Sequence, residues 1–170
     1  MGEKANYSCT IPPVATYVGI DPGSSSGAIC VINDYPDGHN SVFIAPMSKY
    51  TDRDILNVLQ SASMGTPAGK VKAVIEGVHS FPGQGVASSF KFGQNYGMLL
   101  GFLTASDIPF IKVTPRTWQK YYGMKKDKDE GKPQWKVRLR QRAEELYPDV
   151  KLNNQTADSL LISNYCKHYE

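Results

Sequence analysis

The sequence predicts a single α/β domain: a five-stranded mixed sheet, three antiparallel strands then parallel ones, with helices on both faces. Two observations predict it. Short apolar runs bounded by turn formers recur along the chain, the first three separated only by turns and the last two by helical patterns. A length of 170 residues with 41% hydrophobic residues is also enough to bury one core.

The first run, Tyr17-Val18-Gly19-Ile20, alternates and ends on Asp21. Pro22 to Gly27 makes a tight turn, and Ala28 to Ile32 returns as a second strand. Gly23 and Gly27 are expected to adopt backbone angles closed to other residues there. Asp34 to Gly38 is a turn, and Ser41 to Ala45 a third, edge strand. Thr51 or Asp52 caps a helix running to about Ser63, with Ile55, Val58 and Leu59 on one face. Ser61 to Gly69 is a loop whose glycines lack phosphate-loop spacing, so no nucleotide cofactor is expected. Val71 to Glu76 is the fourth strand, again ending on a carboxylate, and a Gly-rich loop follows to Gly85.

Ala87 to Ala105 reads as a long helix with Gly93, Gly97 and Gly101 four apart. Glycines cost helix propensity, so their face is expected to lie close against the sheet. Pro109 to Val113 is the fifth strand. Thr114-Pro115 caps and starts a helix from Arg116 to Tyr122. Lys125 to Lys132 is a polar loop, Trp135 to Tyr147 a basic helix, and Gln155 or Thr156 opens a last helix whose apolar side carries Ala157, Leu160, Leu161 and Tyr165. Residues 1–14 are expected to be a loose tail before one domain spanning 15–170.

Net charge is +3, but 11 of the 19 Lys and Arg lie between Lys112 and Arg142 against three acids, which points to a polyanionic partner such as nucleic acid. Cys9, Cys30 and Cys166 are too scattered for a disulfide framework or a zinc site, and are expected to be reduced in a cytoplasm-like compartment. No run is long enough to span a membrane, and no secretory leader is expected.

Asp21 and Glu76 end two apolar strands, and Asp158 sits in the first turn of the last helix. Each alone has a plain structural role, as a turn cap, a surface strand end or a helix-dipole partner. Brought together they repel unless a cation binds them, and oxygen-only donors select a hard ion, Mg²⁺ or Mn²⁺.

The segments YVGIDPGSSSGAICVI, AVIEGVHSFPGQGVASSFKFGQNYGMLLGFL, VTPRTWQKYYGMKK and TADSLLISNY, in that order, resemble the RuvC-type Holliday junction resolvases of the ribonuclease H-like superfamily, closest to the phage and chloroplast branch. The resemblance runs from Tyr17 to His168. It implies a homodimeric endonuclease of recombination and repair that nicks opposed strands of four-way junction DNA, leaving 5′ phosphate and 3′ hydroxyl ends. For a phage-encoded chain the compartment would be the host cytoplasm. It also implies two Mg²⁺ ions per subunit, about 3.5–4 Å apart, replaceable by Mn²⁺. Asp21 would bridge them, with Glu76 and Asp158 flanking.

The family's fourth acid is missing. The chloroplast branch has it five residues before the last acid, here Asn153, and the bacterial branch three before, here Gln155. Asn153 reads as the replacement of an acid, natural or introduced, that offers an amide oxygen without charge.

The resemblance places Phe81 where an aromatic wedges at the crossover, stacking on bases at about 1–3 kcal/mol each. Alternatively it tucks under its own loop. Lys91, Arg116, Lys120, Lys125, Lys126, Lys136, Arg138 and Arg140 are candidates for phosphate contacts, although 116–118 reads equally as a packing corner. Three rivals remain: a junction-binding protein without catalysis, an RNA–DNA hybrid nuclease, and an actin-like or sugar-kinase phosphotransferase. The last needs two domains where this chain has room for one.

Overall fold

β1 (Ala15–Asp21) lies at the centre of the sheet, and its alternation decides what packs on either side. Val18 and Ile20 are fully buried toward one face, while Tyr17 and Gly19 turn to the other. The structure is a computed structural model describing residues 11–23, 25–77 and 85–169, so most of the expected N-terminal tail lies outside the described residues. β1 pairs antiparallel with β2 (Ala28–Asp34), and β2 with β3 (Asn40–Pro46). On its other side β1 pairs parallel with β4 (Val71–Glu76), and β4 with β5 (Phe110–Val113), giving the order β3-β2-β1-β4-β5. The expected mixed sheet is present, with β3 at an edge.

Two cores follow from that alternation. On one face α1 (Asp52–Met64) and α2 (Val86–Ala105) bury Ile55, Leu59, Leu99 and Leu103 against Val18, Ile20, Ile29 and Val31. On the other, α3 (Pro115–Tyr121), α4 (Lys132–Leu146) and α5 (Ala157–His168) pack Trp118, Leu139, Leu160 and Leu161 against Cys30, Ile32 and Val74. Thr51 closes a capping box with Asp54 at α1. Thr114 caps α3, whose first position is Pro115. A 3-10 turn over Met47–Lys49, which the sequence reading did not anticipate, links β3 to α1.

α5 is not amphipathic, as one apolar side would have made it: every residue from Ala157 to Cys166 is buried. Its polar members stay inside because partners from distant elements satisfy them. Ser163 Oγ donates to the Tyr17 carbonyl (2.8 Å), Asn164 donates to the Tyr122 hydroxyl (3.0 Å), and the Tyr147 hydroxyl donates to Asn164 (2.9 Å).

The glycines behave differently from their sequence reading. Among the described residues φ is positive at Gly38, Gly69, Gly123 and Asp107, so Gly23 and Gly27 do not need unusual angles. Gly27 needs space, since a Cβ there would run into the Asp21 carbonyl and the Gly23 backbone. The α2 glycines do not touch the sheet. α2 packs through Tyr96, Leu99, Leu100 and Leu103, and a Cβ at Gly93, Gly97 or Gly101 would meet nothing. The glycine that does carry close packing is Gly19, where a Cβ would collide with the α5 backbone at Ser159 and Ser163.

Gly19→Ala is therefore expected to destabilise the protein by about 1–3 kcal/mol or more through overpacking. Gly93→Ala, where a Cβ meets nothing within 4 Å inside the single chain, should by contrast gain the isolated chain up to roughly 1 kcal/mol from propensity. Urea denaturation of the two variants checks the contrast.

Candidate active site

The parallel register sets Ile20 beside Ile75, so the next residues, Asp21 and Glu76, stand together at the ends of β1 and β4. Asp21 follows Gly19 and Glu76 follows Val74 on the face covered by α5. Because Gly19 lets α5 lie directly on β1, Asp158 in the first turn of α5 reaches the same strand ends. The three acids that the sequence reading singled out are brought together.

Their ionisation reflects crowding. Burial first, then the charges of Asp158 and Glu76, push the Asp21 carboxyl up to about 7, against weaker pulls from Lys136 and the Gly23 N–H. Glu76 is raised by burial and by Asp158, offset by the Trp118 hydrogen bond and Lys136. Asp158 is raised by burial although Lys136 pulls it down.

Each side chain is held differently. The Trp118 indole N–H donates to Glu76 Oε1 at 2.9 Å, fixing one carboxylate oxygen. The turn after Asp21 is clamped by Asn95, whose amide donates to the Pro22 carbonyl at 2.6 Å. Asp158 is 5% exposed; its Oδ2 accepts from Lys136 Nζ, and among the described residues its Oδ1 has no hydrogen-bond partner. Burial by itself lowers the Lys136 ammonium, but the charges of Asp158, Asp21 and Glu76 outweigh it and raise the group. We take the pair as ionic, since three carboxylates favour the charged amine. Sequence reasoning put Lys136 on the phosphate backbone and Trp118 in a packing corner; their places beside the acids were missed. A buried Trp needs an acceptor, and that was the one available signal.

The donor set fits a hard divalent cation: three carboxylates, no sulfur or imidazole, and a buried Asp158 oxygen without a partner. As they are placed, no three Asp, Glu, His or Cys groups among the described residues already form a cage. Asn153 has another task. Its Oδ1 accepts from the Gln155 N–H (2.8 Å) and the Thr156 N–H (3.1 Å), ordering the turn into α5.

Phe81 lies outside the described residues. Lys91, Arg116, Lys120, Lys125 and Lys126 are exposed, and among the described residues none has an ion-pair partner. Four side chains of the basic helix do, Lys136 through Asp158 and three arginines through glutamates. Arg138 binds Glu130 (2.8 Å) and lies over the Trp135 ring, Arg140 binds Glu144 (3.3 Å), and Arg142 binds Glu145 (2.8 Å).

No family model matches the chain, and no curated protein matches it. Solved structures do. A Thermus thermophilus RuvC structure is 14% identical over 87% of this chain and 90% of its own, with a TM-score of 0.50. T. thermophilus RuvC in complex with Holliday junction substrate is 13% identical over 88% and 90%, with a TM-score of 0.55. The chain has a RuvC-like fold of the ribonuclease H-like kind, as its four motifs implied.

Because the Asp21 pKa lies above its unfolded value, the folded protein retains a proton between about pH 4 and pH 7 that the unfolded chain has released. Stability of the metal-free protein therefore falls as pH rises through that window. Asp21→Asn is expected to match wild type near pH 4 and to melt progressively higher up to pH 8, by about 2–4 °C for each kcal/mol of relieved repulsion. Thermal melts in EDTA across that range check it.

Proposed function

We propose that the protein is a metal-dependent endodeoxyribonuclease that resolves four-way DNA junctions, acting in recombination and repair. The observation that carries the reading is the convergence of Asp21, Glu76 and Asp158, from three remote segments, at the C-terminal ends of β1 and β4 in a RuvC-like sheet. Its folding neighbour from T. thermophilus is described in complex with Holliday junction substrate.

Glu76 is oriented by Trp118, Asp21 by the clamped turn, and Asp158 by its seat in the buried helix. Bound Mg²⁺, or Mn²⁺ in its place, would stabilise charge on the scissile phosphate and acidify the attacking water. Arg116 and Lys120 extend from the exposed side of α3, the helix whose Trp118 touches Glu76. With Lys125 and Lys126 just beyond, they grip phosphates beside the cut without reading sequence. Such contacts weaken steeply with salt.

A second copy of the chain completes the reading, since two opposed strands need two symmetric sites. What supports it is the outer face of α2. At 100° per residue Val86, Phe90, Gly93, Gly97 and Gly101 form one stripe, with Val86 87% and Phe90 68% exposed. Glycines there let a partner helix approach closely. Light scattering is expected to give the mass of two chains, and Gly97→Arg the mass of one with unchanged helical circular dichroism.

Cleavage of a synthetic four-way junction in Mg²⁺, beside linear duplex and RNA–DNA hybrid, tests the activity. Asp21→Asn, Glu76→Gln and Asp158→Asn should each lose at least about 100-fold, roughly 2.7 kcal/mol, while still shifting the junction in a gel. Asn153→Asp should leave cleavage unchanged, since Asp caps the same turn. Equal cutting of linear duplex, or variants that cut like wild type, would sink the proposal. Binding without nicking would leave the non-catalytic alternative.

A further inference from the structure

Lys136 is the one basic side chain of α4 whose partner belongs to the acid cluster rather than to α4 or the loop before it. It projects from the second turn of α4, 29% exposed, and its ammonium donates to Asp158 Oδ2. The opposite oxygen of that carboxylate is buried and, among the described residues, unpartnered. The Trp118 indole N–H donates to one oxygen of Glu76. Three carboxylates and one ammonium leave the cluster with a formal charge of −2, so the lysine cancels a third of the acid charge. Asp158 could serve either of two cations with one carboxylate: turned to Lys136 it is an ion pair, and turned to the strand ends it would be a third ligand.

We infer that Lys136 is an internal counter-ion that competes with the divalent cation for Asp158, so that metal entry requires the Lys136–Asp158 pair to open. The inference rests on the metal-dependent reading of the site. It accounts for two facts that otherwise conflict: the donor set suits a hard cation, yet the acids as placed form no cage. Opening the pair costs its hydrogen bond and attraction, and like charges then repel across the site, so a removable lysine lowers metal affinity. The side chain is long and partly exposed, and so can swing toward solvent without disturbing α4.

Equilibrium binding of Mn²⁺ to the full chain, read from the spin-resonance signal of free Mn²⁺, tests this without any cleavage assay. Lys136→Met should bind Mn²⁺ more tightly by at least about tenfold, within the range that neighbouring groups exert on metal sites. Lys136→Arg, which keeps the charge, should bind close to wild type. In EDTA the Met variant should melt lower than wild type, because Asp158 loses its counter-charge, and should gain more on adding Mn²⁺. A Met variant that binds no tighter than wild type overturns the competition and leaves the nuclease reading standing. Absence of Mn²⁺ binding in wild type and both variants overturns the inference and the metal site together.

Discussion

The site depends on the direct approach of α5 to Gly19 on β1, where even a Cβ would collide with the helix backbone at Ser159 and Ser163. A helix whose side chains are all buried from Ala157 to Cys166 must press directly on something, and β1 offers the one central strand position without a side chain. The contact is tied down by Ser163 donating to the Tyr17 carbonyl. Its consequence lies one turn away, where Asp158 arrives over the ends of β1 and β4. A side chain at residue 19 would lift α5 and dissolve the cluster before any acid was changed, so the site is a product of backbone proximity.

That dependence explains which parts of the molecule were legible beforehand. Asp21 and Glu76 could be placed because strand periodicity fixes where an apolar run ends and which face each residue takes. Thr51, Thr114 and Pro115 were legible through local capping chemistry. α5 was not, since Ser159, Ser163 and Asn164 read as a polar side until Tyr17, Tyr122 and Tyr147 arrive from elsewhere to bond Ser163 and Asn164. The α2 glycines misled for a related reason. Small residues show that something can come close but not which surface does, and the sheet was already covered by Tyr96, Leu99, Leu100 and Leu103.

Charge was the least reliable guide to position. A count ending at Arg142 omits Glu144 and Glu145, which neutralise Arg140 and Arg142 along the helix. Exposed pairs of this kind contribute little stability, about 0–1 kcal/mol, yet they decide which cations face outward unpaired. The exposed positive charge therefore shifts from α4 to α3 and the segment after it, where Arg116, Lys120, Lys125 and Lys126 stand.

The acid cluster itself is held against its own repulsion. A carboxyl pushed up to about 7 at Asp21, by burial first and then by Asp158 and Glu76, marks a place where the fold holds an acid that the unfolded chain would leave in water. A structure tolerates that only when surrounding elements over-determine the geometry, and here they do so from three directions. Trp118 fixes Glu76 from α3, Asn95 closes the turn beyond Asp21 from α2, and α5 delivers Asp158 through Gly19. Hydrophobic packing on both faces of the sheet thus sustains a crowded, buried set of acids at the ends of its central strands. Carboxylates held this way are what would give a divalent cation something to bind.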